Sequence, residues 1–338
     1  MELLKRLCDA SGVSGHEDAV RDILIDAVGH YADSVHTDHL GNLFMIKGEK
    51  ESGPRVMFAA HADEVGLMVE RIDDEGFIKF MTLGGIDPRV LPAKRVRIGR
   101  EGICGVIGIK PLHLSDKEER KKVSPISDLR IDIGASSKDQ AERFVDVGDP
   151  IWFDTLFEQQ GDILKAKAFD DRAGCYMMTE LIKHEFRFPV TFVWTVQEEV
   201  GLRGARIAAA KVRPEIMIVL EGTGACDVPT DADVARNPYL GKGPVITILD
   251  RTVVCNQRLV GLLTDTADRE HIPWQFKRPL VGGTDAGAAV RVKPLHAAVL
   301  AIPARYIHSP VALANVKDII NTIELVKAAC GRFGEVKL

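Results

Sequence analysis

Four apolar runs in this chain each lead directly to side chains that can hold a metal ion. In open α/β sheets, ligand sites lie beyond the carboxyl ends of the strands, so residues far apart in sequence can meet there. Imidazoles and carboxylates are common ligands of divalent cations in proteins. The runs and the residues that follow them are Arg55–Ala60 with His61 and Asp63, Pro189–Val196 with Glu198 and Glu199, Glu215–Leu220 with Glu221, and Pro294–Ile302 with His308. The pattern predicts an enzyme built on a binuclear metal site.

His61 and Asp63 lie two residues apart after a predicted strand. On an extended chain alternate side chains point to the same face, so the two could act together. A metal-bound imidazole needs a hydrogen-bonding group that fixes its orientation, and a nearby carboxylate can supply one. Taken alone, the pair is also consistent with a histidine at a strand end and an aspartate in the following turn.

Two pairs of adjacent carboxylates add candidate ligands. Asp170 and Asp171 precede a predicted helix, where they could cap exposed amides, or where one of them could bridge two cations. Glu198 and Glu199 follow an apolar strand, and neighbouring carboxylates repel each other unless a cation or a shared proton compensates them. One glutamate could bind a metal while the other accepts a proton from water, or the pair could begin a helix.

Three later stretches complete the candidate site. Glu221 ends an apolar run as a turn residue or a ligand, and His308 is either a packed loop histidine or a ligand. Gly282–Gly287 lacks both the lysine of a phosphate-binding P-loop and the GxGxxG spacing, so we predict a tight turn into a helix that lines the site. The candidate substrate-binding residues there are Gly283, Thr284 and Asp285.

Composition narrows the class of protein. The chain has 338 residues, of which 46% are hydrophobic and 28% charged, enough for one large domain and a smaller one. Its formal net charge of −5 offers no basic surface for nucleic acid or anionic membranes. The six cysteines form no CxxC pair, and neither a signal peptide nor a membrane-spanning stretch is recognisable. We therefore expect a cytoplasmic protein that binds neither nucleic acid nor membrane.

The spacing of apolar residues changes along the chain. Two N-terminal helices are followed, over residues 66–164, by short β-type runs separated by Gly, Pro and Asp, which predicts a small β-rich domain inserted into residues 1–65 plus 165–338. Beyond Asp170, helical patterns alternate with strands, which predicts an α/β sandwich with a largely parallel sheet. The predicted later helices are Arg172–His184, Gly201–Lys211, Asn256–Glu270, Thr284–Arg291 and Val316–Phe333.

Several of these stretches resemble the M42 metallo-aminopeptidases, the glutamyl and tetrahedral aminopeptidase group that is also labelled cellulase M or endoglucanase. The matching stretches are SGVSG at 11–15, LGN at 40–42, AHADEVG at 60–66, FDDR at 169–172, VQEEVGLRGA at 196–205, GGTDAG at 282–287 and RYIHSP at 305–310. They cover the chain from near its start to near its end. The resemblance implies a three-layer α/β sandwich of the zinc-exopeptidase type with an inserted, barrel-like β domain.

The resemblance also implies the site and its chemistry. The implied ligands are His61, Asp170 and Glu221 for one metal, and Asp170, Glu199 and His308 for the other. Asp63 would orient the ligands, and Glu198 would be the general base for a water held by both metals. The metals would be Zn²⁺ or Co²⁺, with Mn²⁺ also compatible. The reaction would be removal of N-terminal residues from short peptides, by a homo-oligomer in which the β-rich insert joins dimers into a tetrahedral dodecamer.

Three other functions remain open at this point. The same ligands could serve a metal-dependent deacylase of N-acyl amino acids. A glycoside hydrolase needs two carboxylates that flank a sugar and usually no metal. A catalytically silent assembly subunit would bind metal without peptidase activity. Assays that compare free-amine with N-acylated substrates, each with and without a chelator, separate these possibilities.

Overall fold

A computed structural model describes residues 1–229, 237–278 and 281–335. The described residues form seventeen strands and eight helices. The strands are β1 Ser34–Thr37, β2 Leu43–Lys47, β3 Val56–His61, β4 Gly66–Ile72, β5 Ile78–Leu83, β6 Arg95–Ile98, β7 Ile103–Gly108, β8 Arg130–Asp132, β9 Pro150–Phe153, β10 Glu158–Gln160, β11 Ile163–Ala166, β12 Val190–Thr195, β13 Ile216–Gly224, β14 Val245–Thr247, β15 Gln275–Phe276, β16 His296–Ala304 and β17 Ala312–Asn315. The helices are α1 Glu2–Asp9, α2 Asp18–Val28, α3 Lys138–Ala141, α4 Phe169–Leu181, α5 Arg203–Val212, α6 Gln257–Arg269, α7 Asp285–Val290 and α8 Val316–Cys330.

Eight strands form the main sheet, in the order β1-β2-β12-β3-β13-β16-β14-β15. The four central strands, β12, β3, β13 and β16, are parallel to one another. Antiparallel pairings attach β2 on one side and β14 on the other. The sheet is therefore parallel where it carries the predicted ligands. His61, Glu198 and His308 lie at or beyond the carboxyl ends of central strands, and Glu221 lies in the last part of β13.

Helices cover both faces of this sheet, as a buried parallel sheet requires. The alternating side chains of β3 illustrate why: Val56, Phe58 and Ala60 pack with α1, α2, α4, α6 and α8, while Met57 and Ala59 pack with α5 and α7. All six residues of β3 are buried. The predicted three-layer α/β sandwich is thus confirmed.

The β-rich part of the chain forms a closed barrel of six strands, in the order β4-β5-β8-β7-β6-β9. It has its own apolar core, which includes Leu67, Ile98 and Ile151, each 0% exposed. The predicted barrel-like insert is confirmed as part of the fold. After the barrel, β10 pairs with β11 and β11 pairs with β17, so this stretch joins the C-terminal part of the chain.

The predicted helices after the barrel agree with the structure to within three residues at each end. Two predictions need correction. β1 and β2 were missed, although they extend the main sheet by two antiparallel strands. The run that ends at Leu220 continues as strand to Gly224, because its pairing with β16 extends to Gly224 and Ala304, so Glu221 lies inside a strand rather than at a turn. None of the helices in the described residues combines the length and the hydropathy that crossing a membrane requires.

A buried cluster of ion pairs links the chain segments that flank the barrel to the C-terminal end of α1. The Nζ of Lys167, which is 2% exposed, donates to both carboxylate oxygens of Glu64 at 2.6 and 2.8 Å and to the carbonyl of Ala10 at 2.7 Å. Arg172 donates to the same Glu64 at 3.3 Å and to the carbonyl of Leu7 at 3.1 Å. Glu64 precedes the barrel and Lys167 follows it, so the cluster joins the two chain segments that lead into and out of the barrel.

We expect Lys167→Met to lower the free energy of unfolding by about 3 kcal/mol, because it removes one partner of a buried ion pair and leaves Glu64 undercompensated. Denaturation in urea measures this change. The matched control is Lys183→Met, whose ion pair with Glu180 at 2.7 Å is half-exposed and should contribute less than about 1 kcal/mol. Equal losses in the two variants would contradict the argument from burial.

Candidate metal centre and cleft

His61 ends β3 between two neighbouring strands of the sheet, and its ring is almost fully buried. Its Nδ1 lies 3.1 Å from the backbone carbonyl oxygen of Asp63. A carbonyl can only accept, so Nδ1 carries the proton and donates it, which leaves the lone pair on Nε2. That Nε2 lies 3.1 Å from Oδ1 of Asp170 and 3.1 Å from Oε1 of Glu221. Three potential ligand atoms therefore converge at one point.

His308 forms a second, similar group. Its Nδ1 lies 3.0 Å from the carbonyl oxygen of Gly85, a residue between barrel strands β5 and β6, so this ring is oriented from the barrel side. Its Nε2 lies 3.3 Å from Oδ2 of Asp170 and 3.3 Å from Oε1 of Glu199. The two oxygens of the Asp170 carboxylate thus face two different imidazoles.

The geometry of both groups fits bound cations. Two ligands of a tetrahedral site lie about 3.4 Å apart when each is about 2.0–2.1 Å from the metal, close to the N–O distances found here. An imidazole lone pair that faces carboxylate oxygens is repelled unless a proton or a cation lies between them. In addition, Oε1 of Glu199 and Oε2 of Glu221 are buried and accept no hydrogen bond. The residues present are therefore suited to two divalent cations that share Asp170.

The charges of the cluster lead to the same conclusion. Burial and the charge of Asp170 raise the pKa of Glu199 to about 7. Burial, with a smaller contribution from the charge of Asp170, also raises the pKa of Glu221 to about 8. Burial lowers the pKa of His308, but contacts with Asp170 and Glu199 outweigh it and raise that pKa to about 9. Carboxylates outnumber cations in this buried space, and metal ions would relieve the repulsion.

Asp171 has a different position from its neighbour. Its Oδ2 accepts from the backbone N–H of His61 at 3.1 Å, and its Oδ1 accepts from Gly174 at 2.9 Å. One carboxylate oxygen of Asp171 also lies within 4.8 Å of ligand atoms of His61 and Glu221. Both oxygens of Asp171 already accept backbone hydrogen bonds and so hold the end of β3, whereas the oxygens of Asp170 face the two imidazoles.

Asp63 ties the two glutamates to the histidine. Its Oδ1 accepts from the backbone N–H of Glu198 at 2.9 Å, and its Oδ2 accepts from that of Glu199 at 3.1 Å. Ser14 donates to the same carboxylate at 2.6 Å. These contacts, with that of His61, hold the pKa of Asp63 below its usual range despite burial. A permanent negative charge therefore orients both the imidazole and the loop that carries the glutamates.

The side chain of Glu198 has no hydrogen-bond partner among the described residues and lies on the wall of a cleft next to the cluster. Burial, with the charges of Glu221 and Asp285 opposing that of His61, raises the pKa of Glu198 well above its usual range. A carboxylate with high proton affinity beside the cation positions has the properties of a general base.

The cleft has a volume of about 550 Å³. Of the three residues predicted to bind substrate, Gly283 and Thr284 line it. Asp285 lies beneath the surface at 1% exposure, where its Oδ2 accepts from the hydroxyl of Thr195 at 2.5 Å. Other residues in its wall are Gly201, Leu202, Gly222, Thr223, Gly224, Cys226, Thr252, Lys277, Arg278 and Ile307.

Sequence reasoning missed the residues that make room for the cluster or orient it. A Cβ on Gly222 would lie 2.9 Å from both Cα and Cβ of Asp170, so a glycine is needed beside Glu221. Gly85 contributes only a carbonyl, which has no signature in the sequence. Ser14 was noticed only as part of a matching stretch. The one signal for Gly222 in the sequence was its place directly after Glu221 in a strand, since a glycine within a strand often marks the close approach of another backbone.

We expect Gly222→Ala to weaken divalent-metal binding roughly 10- to 100-fold, as loss of ligand support commonly does, because the new methyl would displace Asp170. Titration of the apoprotein with Zn²⁺ or Co²⁺ measures the affinity. Gly261→Ala in α6 is the matched control, since its added Cβ meets no atom within 4 Å. Unchanged affinity in Gly222→Ala would show that Asp170 does not hold metal in this position.

Comparisons with known proteins identify the family to which the chain belongs. The model of the family described as M42 glutamyl aminopeptidase matches residues 41–325. The structure is similar to the TET aminopeptidase of the marine sediment archaeon Thaumarchaeota archaeon SCGC AB-539-E09, with a TM-score of 0.94 and 39% identity over 98% of this chain and 97% of that one. It is also similar to the TET1 peptidase of Pyrococcus horikoshii, with a TM-score of 0.86 and 36% identity over 97% and 98% of the two chains. Lysyl aminopeptidase of Pyrococcus furiosus is 36% identical over 97% of this chain and 95% of its own length. The chain therefore belongs to the M42 family of aminopeptidases, which are hydrolases of peptide bonds.

Proposed function

We propose that this protein is a binuclear-metal aminopeptidase that removes N-terminal residues from short peptides. The observation that carries the proposal is the Asp170 carboxylate, whose two oxygens face the Nε2 atoms of His61 and His308 at 3.1 and 3.3 Å. Glu221 would complete the site of His61, and Glu199 would complete the site of His308. Two imidazoles and three carboxylates suit Zn²⁺ or Co²⁺ and also accept Mn²⁺.

Two cations held this way would polarise the scissile carbonyl and lower the pKa of a water toward about 7. Glu198 accepts the proton of that water on its carboxylate and later returns it to the nitrogen of the leaving amine. Asp63 keeps the backbone of Glu198 and the ring of His61 in fixed relative positions. Burial of Glu198 excludes bulk water and keeps its proton affinity high.

At the metal end, the free α-amino group of a peptide would meet a cation or a nearby carboxylate, a contact that an acylated nitrogen cannot make. The named relatives are aminopeptidases or peptidases, which favours this reaction over deacylation of N-acyl amino acids.

We further propose that the protein works as a homo-oligomer and that residues 66–164 form the assembly domain. The TET1 peptidase of Pyrococcus horikoshii can assemble into a tetrahedron or a large octahedral shell. In this chain, large apolar side chains are exposed between β7 and β8, and such a patch commonly marks a contact between proteins. They are Ile109, Leu112, Leu114 and Val123, which are 51–67% exposed. A tetrahedral dodecamer built from dimers is the assembly we propose.

We expect Glu198→Gln to lower kcat by at least about 1,000-fold and to leave the metal content unchanged, because the amide cannot accept a proton. Hydrolysis of aminoacyl p-nitroanilides by the metal-reconstituted protein, with metal content measured by elemental analysis, tests this. Retention of full activity in Glu198→Gln would refute the assignment of the base.

The matched control is Glu185→Gln. The side chain of Glu185 is 89% exposed and does not line the cleft. It should keep both activity and metal. The same assay with a chelator should abolish hydrolysis by the wild-type protein. Cleavage of N-acylated but not free-amine substrates would instead favour the deacylase.

A further inference from the structure

The loop that carries the two glutamates has a backbone conformation that needs support from other parts of the chain. This glutamate loop, residues 196–202, connects β12 to α5. Two of its residues have positive φ values although they are not glycine, +56° at Gln197 and +57° at Leu202. Such conformations persist where the surrounding structure fixes them. The contacts that hold the loop therefore decide where the side chain of Glu198 lies.

The second half of the glutamate loop is closed by its own hydrogen bonds. The carbonyl of Glu198 accepts from the backbone N–H groups of Gly201 at 2.9 Å and Leu202 at 2.8 Å. These bonds fix the turn that leads into α5. They leave the N–H groups of residues 196–199 to find acceptors outside the loop.

Side chains from three separate segments supply those acceptors. Four consecutive N–H groups each donate to one of them: Val196 to Asn42 Oδ1 at 3.1 Å, Gln197 to Glu17 Oε1 at 3.1 Å, Glu198 to Asp63 Oδ1 at 2.9 Å and Glu199 to Asp63 Oδ2 at 3.1 Å. An N–H lies in the plane of its peptide group, so each contact fixes the orientation of one plane. The planes on the two sides of Gln197 are thus held by Glu17 and Asp63.

Glu17 is buried at the start of α2 without capping that helix. A residue in this position commonly accepts a hydrogen bond from the first turn of its own helix, but the carboxylate of Glu17 makes no such bond. Its Oε1 accepts instead from the N–H of Gly15 at 2.7 Å and from that of Gln197. Glu17 is only 4% exposed. Its carboxylate therefore links the N-terminal loop to the residue before the proposed base, 180 positions away.

Asn42 supports the glutamate loop in a different way. Its Oδ1 accepts from Val196, and its Nδ2 donates to the carbonyl of Gly204 at 3.2 Å, so it joins the two ends of the loop. Removal of Asn42 would open the loop as a whole. Among the described residues, Glu17 is hydrogen-bonded to the loop at Gln197 alone. A change at Glu17 therefore tests the direction of Glu198 while the rest of the loop is still held.

We infer that Glu17 is a positioning residue that directs the carboxylate of Glu198 toward the cleft. The inference rests on the proposed aminopeptidase function, in which Glu198 is the base. Glu17 does not line the cleft, so it acts through the backbone of Gln197 rather than by contact with substrate. The proposed metal ligand Glu199 is held separately, through its N–H bond to Asp63. Loss of the Glu17 carboxylate should therefore impair proton transfer and leave metal and substrate binding intact.

We expect Glu17→Ala to lower kcat roughly 10- to 100-fold, the size of effect that a small displacement of a catalytic group produces. KM and metal content should not change. Glu17→Gln keeps a side-chain oxygen that can accept from Gln197 and should restore most of kcat. Hydrolysis of aminoacyl p-nitroanilides by the metal-reconstituted variants, with metal content measured by elemental analysis, tests this.

The matched control is Glu215→Ala. Glu215 also accepts a backbone N–H from a distant segment, that of Arg55 at 2.9 Å, and it precedes β13 at the end of the sheet opposite the predicted ligands. This variant loses the same kind of contact at a place that cannot reorient Glu198. It should keep the wild-type kcat.

A double variant tests whether Glu17 acts through Glu198. In a Glu198→Gln background the positioned base is absent, so Glu17→Ala should lower the residual kcat by less than about two-fold. The residual rate is measured at high enzyme concentration. A reduction by the same factor in both backgrounds would overturn the positioning role, because independent effects multiply.

Other results would also overturn the inference. Unchanged kcat in Glu17→Ala would do so, as would a loss of kcat that accompanies loss of metal and is not rescued by Glu17→Gln. If Glu17→Ala does not fold, Glu17→Asp takes its place, since its carboxylate is one methylene further from Gln197; wild-type kcat in that variant contradicts the inference. Absence of hydrolysis of every free-amine substrate by the wild-type protein would refute the proposed function itself, which a wrong role for Glu17 would not.

Discussion

The arrangement of the site depends on one carboxylate held between two imidazoles. Asp170 lies at the start of α4 and places one oxygen near each histidine, and its pKa is held well below the usual range because those contacts outweigh burial. The two histidines come from different parts of the fold, one from a central strand and one from a loop that contacts the barrel. Displacing Asp170 would disrupt both groups at once, which is why Gly222 has no side chain to occupy its space.

Placing so many carboxylates in a buried space is electrostatically unfavourable, and hydrogen bonds from the surrounding residues offset part of this cost. Backbone N–H groups neutralise part of the charge of Asp63 and Asp171, each of which accepts two such bonds. Among the other buried carboxylates, three oxygens accept no hydrogen bond, one each from Glu199, Glu221 and Asp285. The protein therefore separates acids that fix the backbone from acids that are available to cations and substrate.

Much of this could be read from the sequence because it depends on local pattern. Apolar runs of strand length that end in His61, Glu199 or Glu221 indicated a parallel sheet with ligands at one edge, and the Gly-rich and Pro-rich stretch indicated a β insert. Of the missed strands, β1 is half-exposed and has no apolar run, whereas β2 begins with four consecutive apolar residues and was overlooked because it is only five residues long. The continuation of β13 beyond Glu221 was hidden because Gly222, a residue type that usually marks a turn, here allows close packing against Asp170.

Types of side chain and their order along the chain therefore determined the fold class and the set of candidate ligands. Only the tertiary structure decided which oxygen faces which nitrogen, that both oxygens of Asp171 accept backbone hydrogen bonds, and that Glu17 and Asn42 accept hydrogen bonds from the loop of the proposed base. The physical reason is that hydrogen bonds and ion pairs act over about 3 Å between residues more than a hundred positions apart, and sequence spacing carries no record of those distances.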